Sequence, residues 1–581
     1  MNIFKILRRI VPLHFIAAPW VNGFQMLLSA ISASLWALSI IVTQRLFDAV
    51  IGAADGELGF VQVVVPLLWM TLVIFGQQAL NGLYMFMITV IFEKCSGFFQ
   101  MRLFTKLSKI DPVMFEDTKF LDSLNKAKEA IRSIPHFCMA FTTLFFFHIV
   151  YFAFVGSYLF WLSPVLVMVL IISFVPAFLS LLFRVKVFTK LEEKNAPLRR
   201  ENDYYRRTIC DREYFKETRI LGAYHFFYKL YNESVFLLTD SEWRAESKTA
   251  IIQLALNIIS FCGMGISTLM LFNATMDGTI TVGSFAAVFG ALNMIFGMMD
   301  EIVNDNLTQR SKDIGKVINY IHMLDTPERQ PNEENHREVS SYISAEDLYF
   351  TYPGKDEPAV RSVFLDIAKN ETIAIVGENG AGKSTLMRLL TGIYKPDRGY
   401  AAVNGRTSGM DFSDISGVFQ KFKRYKMTLK ENVTISDRRR IGGYQNERVN
   451  RVLKEADLEL GMDMETMLSP EFNGIDLSGG QWQRLAIARG LYRESKFIVL
   501  DEPTAAIDPL EEVKVYNQFQ KLAANKCAVV VTHRLGSVRL ANRIVVMDAG
   551  EILDIGTHEE LLSRSGKYAE MWEAQARWYE R

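Results

Sequence analysis

Apolar residues are distributed along the chain in two contrasting ways. Residues 1–305 are crowded with Phe, Leu, Met and Ile in long runs, whereas residues 330–581 alternate short apolar stretches with polar ones. A helix that crosses a bilayer needs roughly 20 mostly apolar residues. Six stretches qualify, at about 20–43, 61–88, 137–158, 163–184, 250–272 and 282–304. Asn22 and Gln25 in the first and Asn293 in the last are tolerable where those faces line a cavity or pack against other helices. Five spans plus a buried hairpin is the competing count, and it would put the two termini on opposite sides. Ahead of the first span, residues 1–17 read as an amphipathic helix at the inner membrane surface. A signal peptide fits less well, because "IAAP" is a poor cleavage site and the apolar stretch beyond it is too long.

Lysine and arginine in the loops set the orientation. "KILRR" precedes the first span. Lys94, Arg102, Lys106, Lys109, Lys126, Lys128 and Arg132 lie between the second and third, and Arg184, Lys186, Lys190, Lys194, Arg199, Arg200, Arg206 and Arg207 between the fourth and fifth. The other loops carry Asp48, Asp55, Glu57 and Asp277 against Arg45. Both termini are therefore expected in the cytoplasm of a multi-pass plasma-membrane protein. The expected organisation is an all-α transmembrane domain (18–320), a polar linker (321–341) and an α/β domain (342–581). Two cytoplasmic segments, 111–127 and 202–221, break helical patterns with charge and aromatics. They read either as a solvated bundle or as contact elements that dock on the second domain.

Composition adds exclusions. With 64 basic and 64 acidic side chains in 581 residues, there is no electrostatic case for a nucleic-acid partner. Cys95, Cys138, Cys210, Cys262 and Cys527 are scattered and read as free thiols rather than a disulfide or zinc framework.

The second domain carries the chemistry. The apolar strand "ETIAIV" runs into "GENGAGKST" (377–385) and then the helix "STLMRLLTGI", the strand–loop–helix context of a phosphate-binding loop. Gly377, Asn379, Gly380 and Gly382 let the backbone wrap the phosphates of ATP, Lys383 reaches them as a point charge, and Ser384 and Thr385 follow, with the Ser384 hydroxyl on Mg²⁺. "KFIVLDE" (496–502) ends a second strand in Asp501, placed to hold Mg²⁺, and Glu502, placed to polarise the attacking water. The bland alternative, ordinary surface charge at a strand end, loses force because "AVVVTH" follows with a third strand ending in His533, a candidate γ-phosphate contact. Gln420 ends "SGVFQ" and is a candidate contact to the metal or the water. Tyr352 is the candidate for stacking on adenine, with Phe350 and Tyr349 competing for the role. Finally, Ser478, Gly479, Gly480 and Gln481 in "LSGGQ" open a helix, and exposed N–H groups at such a start suit an anion.

Taken in order, "GENGAGKS", "LSGGQ", "FIVLDE" and the late histidine resemble the ATP-binding cassette (ABC) transporters, and six spans before one cassette is similar to the half-transporter layout of exporters in that family. The resemblance implies an ATP hydrolase that drives alternating access as a dimer. It also implies that the anion at Ser478 and Gly480 is the γ-phosphate of ATP on the other subunit's loop. Nothing in the set is degenerate, so a homodimer is the economical expectation, and one half of a heterodimer is the alternative. The two cytoplasmic segments would then be coupling helices, the second reaching the partner's cassette. The basic run "KFKRYK" (421–426), facing Glu116, Asp117, Glu213 and Glu217, would form a charged contact at that joint, or else a solvated face.

Cargo is less legible. "FQKFKRYKMTLKENV", "LSPEFNGIDLSGGQWQR", "FEDTKFLDSLNKA" and "KETRILGA" resemble the bacterial branch that secretes lantibiotics and related peptides, although Lys421 stands where that branch is expected to carry an acid. Leader-peptide cleavage is not expected of this chain. Asp300, Glu301 and Asp305 would greet a cationic peptide from the cytoplasm, or else lie on a helix extension outside the bilayer. The competing functions are a multidrug or lipid exporter of the same fold and, in another class, a membrane ATPase that regulates a partner without moving anything.

Overall fold

The computed structural model describes residues 3–211, 213–302, 310–329, 341–407, 412, 414–437, 445–501, 520–521, 523–533, 538 and 541–579. The chain divides into two compact units. One holds Met1–Ser108 with Asp122–Thr326, and the other Lys109–Leu121 with Pro327–Arg581.

Long helices build the first unit: α1 (Ile3–Ala17), α2 (Pro19–Ala54), α3 (Phe60–Leu107), α4 (Thr118–Thr143), α5 (Ile149–Leu162), α6 (Pro164–Cys210), α7 (Phe215–Ile220), α8 (Tyr224–Met276), α9 (Val282–Asp300) and α10 (Arg310–Asp325). A π-helical turn, Leu144–His148, joins α4 to α5, so these two run on as one rod. Among the described residues, six helices are long and apolar enough to cross a membrane. Starts are set locally. Pro19 and Pro164 occupy first helical positions, where the missing N–H costs nothing, and the Thr281 hydroxyl accepts from the Ser284 N–H to begin α9. α3, α6 and α8 extend well past their apolar stretches, because polar residues of good helix propensity continue the same pattern.

The core of this unit packs Ala33, Ala37 and Ile40 of α2 against Tyr151 and Val155 of α5 and Ala287, Ala291 and Leu292 of α9. Alanines at that seam bring backbones close, which is how helices associate without a hydrophobic gradient. Several polar residues on the spans are paired. The Asn22 amide donates to the His14 carbonyl at 2.9 Å, tying α1 to α2. Gln25 donates to the Ser29 hydroxyl. Gln44 donates to Ser284 at 2.8 Å and accepts from Tyr158 at 2.7 Å. Glu301 is exposed at the end of α9, whereas Asp305 and the side chain of Asp300 lie outside the described residues.

The second unit contains two sheets among its described residues. β1 (Ile343–Phe350), β2 (Val360–Ile367), β4 (Arg398–Val403) and β5 (Arg406–Thr407) form an antiparallel sheet in the order β2-β1-β4-β5. β3 (Thr372–Gly377), β6 (Ile415–Val418), β7 (Phe497–Asp501), β8 (Cys527–Val531), β9 (Arg543–Asp548) and β10 (Glu551–Gly556) form the larger sheet, ordered β10-β9-β3-β8-β7-β6. Its strands are parallel except for β10. Apolar runs such as "TIAIV" and "FIVL" are buried along their length, as strands covered on both faces must be. α11 (Lys383–Leu390) packs with both sheets in one core, and a second core gathers around α12 (Leu429–Thr434), α13 (Gln445–Glu455) and α14 (Gly479–Tyr492).

Candidate functional site

Parallel pairing brings separate stretches of sequence to one edge. Ile375 and Asp501 both stand beside Val531, Gly377 beside Met547, and Leu500 beside Val418. The chain leaving each strand therefore emerges at the carboxyl edge of the sheet, where open α/β folds bind ligands. The loop after β3, Asp501, His533 and Gln420 all belong to this edge. Glu502, one residue past Asp501, lies outside the described residues.

The loop 377–382 requires its glycines. A Cβ on Gly377 would sit 2.2 Å from the Met547 carbonyl oxygen, and one on Gly382, at φ +94°, 2.4 Å from that of Ala359. No side chain fits either place. The loop closes on Lys383, only 5% exposed, whose ammonium donates to the carbonyls of Gly377 and Glu378 at 3.0 and 2.8 Å. This positive centre is held at the start of α11, where backbone N–H groups add to its pull on phosphate. Nothing lies within 4 Å of where a Cβ on Gly380 would stand, which leaves its backbone open to a ligand. Ser384 donates to an Asp501 carboxylate oxygen at 3.4 Å, so a hydroxyl and a carboxylate from two elements meet at the strand ends. These are hard oxygen donors of the kind Mg²⁺ takes alongside substrate phosphates. Among the described residues no three His, Cys, Asp or Glu side chains gather as a metal cage.

Tyr352 stands near this loop with a prior engagement. Its hydroxyl shares a 3.0 Å hydrogen bond with Thr385 and accepts from Arg388 at 3.1 Å. Its ring meets Phe350 and Tyr394 edge-on at 5.1 and 6.0 Å. Phe350 is buried and stacked on Tyr394, so it has no face to offer a base. His533 is half-buried past β8, and its carbonyl accepts from Gln575. Gln420 is exposed.

Sequence reasoning missed a chain of contacts behind the loop. Arg388 also donates to the Tyr394 hydroxyl at 3.1 Å, and Tyr394 donates to Glu116 at 2.6 Å. Burial, then the bond to Glu116, pushes the Tyr394 phenol above its ordinary value, so it stays a proton donor. Glu116 belongs to the segment between the second and third spans, and Lys109–Leu121 is part of the second unit. Asp111 caps the short 3₁₀ turn Pro112–Glu116, and Val113 packs on the sheet core. Arg329 fastens the same segment, donating from its backbone to Lys109 and from its side chain to Gly392 and Ile393. Lys426, the last residue of the basic run 421–426, pairs with Glu471 at 2.6 Å.

The candidate for a second anion site is the start of α14. The Ser478 hydroxyl accepts from the Gln481 N–H at 3.3 Å while the Gln481 side chain accepts from the Ser478 N–H at 2.9 Å, a reciprocal cap. Gly479 and Gly480 are exposed with open space where a Cβ would be, so no side chain covers the backbone at this helix start. Trp482 anchors the turn from below, buried and donating to Asp476 at 2.9 Å. Further along, Arg489 donates to the carbonyls of Asn432 and Lys423, each at 2.8 Å, and lies over the Tyr425 ring. Burial lowers its pKa to about 10, which leaves it protonated at neutral pH. It thereby ties the segment following Gln420 to the helix that carries Ser478. Arg489 carries no local signal, since the carbonyls it meets, those of Asn432 and Lys423, are remote in sequence.

Comparison with known proteins agrees with this arrangement. The family model described as "ABC transporter" matches residues 360–505. The chain is 27% identical to the subtilin transport ATP-binding protein SpaT of Bacillus subtilis over 515 residues, covering 84% of this chain and 83% of that protein. It is 35% identical over 240 residues to the nisin transport ATP-binding protein NisT of Lactococcus lactis subsp. lactis, spanning 39% of each. It is 32% identical over 332 residues to an ATP-dependent lipid A-core flippase of Pasteurella multocida, spanning 55% of this chain and 56% of that one. In fold it is similar to a bacterial Atm1-family ABC exporter with ATP bound, at TM-score 0.74 and 20% identity, over 96% of this chain and 100% of that one. Spans, cassette and order of elements lead to one family: the chain belongs to the ABC transporters, as an exporter-type half-transporter that couples ATP hydrolysis to transport across a membrane.

Proposed function

We propose that this chain exports a peptide, that two copies form the working unit, and that both termini face the cytoplasm. The observation that carries the cargo reading is its similarity to the subtilin transport protein along 84% of its length, spans included. ATP enters at the loop 377–385, where Lys383 and the backbone N–H groups hold the phosphates and Tyr352 flanks the base. Ser384 and Asp501 would hold Mg²⁺, which neutralises phosphate charge. Glu502 would orient the attacking water, with Gln420 and His533 reading the γ-phosphate and metal from the neighbouring strand ends. The N–H groups of Gly479 and Gly480 would complete the site on the other copy's nucleotide, so two cassettes close only around ATP.

Two segments would carry that closure to the spans. The first is Lys109–Leu121, bound to the cassette through Glu116. The second is the turn at α7, where Ile220 and Leu221 are 85% and 75% exposed, an apolar surface suited to the partner's cassette. Tyr394→Phe removes the hydroxyl bond to Glu116 and keeps the ring. Because a hydrogen bond to a charged group contributes about 1.5–3 kcal/mol, peptide moved per ATP is expected to fall roughly tenfold, read as the ratio of vesicle uptake to phosphate release. An unchanged ratio would show that Glu116 does not transmit the stroke.

A lipid flippase is the second reading, favoured by the flippase relative's 32% identity. Inside-out vesicles with the wild-type chain or Glu502→Gln separate the two. ATP-dependent accumulation of a labelled amphipathic peptide by wild type alone is the expected result. Movement of labelled lipid without peptide would transfer the chain to the flippase class, and hydrolysis with neither would point to a regulatory ATPase.

A further inference from the structure

The spans enclose a cavity of about 340 Å³ walled by α6, α8 and α9 of a single chain. Its polar lining includes Asn257 and Ser260 of α8 and Asn293 of α9, and Phe174, Phe296 and Met264 supply apolar walls. Among the described residues, no Lys, Arg, Asp or Glu lines it. Ser260 is only 7% exposed, and its hydroxyl has no hydrogen-bond partner. A buried hydroxyl left unpaired is costly, and so is expected to meet a ligand or water.

Both ends of the cavity are shaped by α6 and α8. At one end, a Cβ on Gly263 would lie 1.8 Å from the Ser173 hydroxyl oxygen, so only glycine lets these helices approach there. At the other, Arg184 donates to Gln253 at 3.1 Å and to Glu246 at 2.8 Å. Its two terminal nitrogens are thereby occupied, one of them by a carboxylate.

We propose that this cavity binds an uncharged, amide-bearing segment of the transported peptide. Asn257, Asn293 and Ser260 pair with amide groups, and Phe174, Phe296 and Met264 cover an adjoining apolar side chain. The volume sits at the lower end of the roughly 300–1,000 Å³ typical of ligand pockets, enough for a short segment rather than a folded peptide. Among the lining residues a lipid phosphate meets no cation, and a lipid tail has no use for two amides and a hydroxyl. One chain supplies all three walls, so the proposal assigns one segment to each chain. The inference rests on the peptide-export reading and adds the place, chemistry and stoichiometry.

The test uses the full-length chain in nanodiscs and a blocked fluorescent peptide of alternating Phe and Gln. Ser260→Ala removes the hydroxyl, Ser260→Leu fills the space, and Asn257→Ala removes one amide; unstimulated ATP hydrolysis reports folding. The expected result is one peptide per chain, with affinity lowered about three- to tenfold by Ser260→Ala or Asn257→Ala, as for one or two hydrogen bonds, and lost in Ser260→Leu. Binding unchanged in all three variants, one peptide per two chains, or displacement by lipid A would overturn the proposal. Vesicle uptake keeps the two readings apart. Peptide uptake that persists while binding ignores the cavity variants sinks the cavity alone, whereas absent uptake in wild type sinks peptide export itself.

Discussion

Lys383→Ala is expected to lower ATP hydrolysis by about 10²–10³-fold, the loss typical of one preorganised charge or donor at a developing anion. The ammonium already holds the carbonyls of Gly377 and Glu378, so it is fixed by the loop it serves and spends little on reorganising when phosphate arrives. Its removal leaves those carbonyls short of a donor, at about 1–3 kcal/mol in the domain's stability. Hydrolysis and nucleotide binding should therefore both fall, while the cassette still unfolds cooperatively. A rate within tenfold of wild type, measured as phosphate release at saturating ATP, would remove Lys383 from the site.

Gly480→Asp should separate stability from activity, because its two effects have opposite signs. The position has open space around the added side chain, so the substitution brings no clash. A carboxylate in the first turn of α14 favours the helix by about 0.3–1 kcal/mol through its macrodipole. The same carboxylate would occupy the anion position at the N–H groups of this helix start and repel the γ-phosphate. Thermal stability is expected to hold or rise slightly while hydrolysis falls by about a hundredfold, as for loss of a set of oxyanion donors. Nucleotide binding to the loop 377–385 should survive, since Lys383 is untouched. Hydrolysis that stays near wild type would sink the idea that this helix start completes a second nucleotide site. Together the two variants distinguish the halves: one loses binding, the other only closure.

Much of this was legible because it is local. A membrane span is declared by the mean hydropathy of its own residues, and the phosphate loop by glycines whose backbone no other residue can adopt. The entry of α14 is likewise written in adjacent residues, Ser478 capping and Gln481 capping back. The apolar pattern alone does not mark where α3, α6 and α8 end or begin beyond the spans, but the charge and aromatics that interrupt the helical pattern at 111–127 and 202–221 mark where these helices turn.

What the sequence by itself determined was therefore the kind of molecule: apolar helices, then an α/β cassette with its loop, its acidic strand end and its helix start in order. Tertiary structure alone decided which pieces meet. The strand order β3-β8-β7-β6 brings Gly377, His533, Asp501 and Gln420 to one edge although they are far apart in the chain. Lys109–Leu121 leaves the spans' unit for the cassette's. Glu116 finds Tyr394, and Arg489 finds Asn432. The physical reason is the same in each case. Propensity, hydropathy and capping act between neighbours in sequence, whereas a hydrogen bond to a distant carbonyl or hydroxyl exists only after strand register and helix packing have placed its partner.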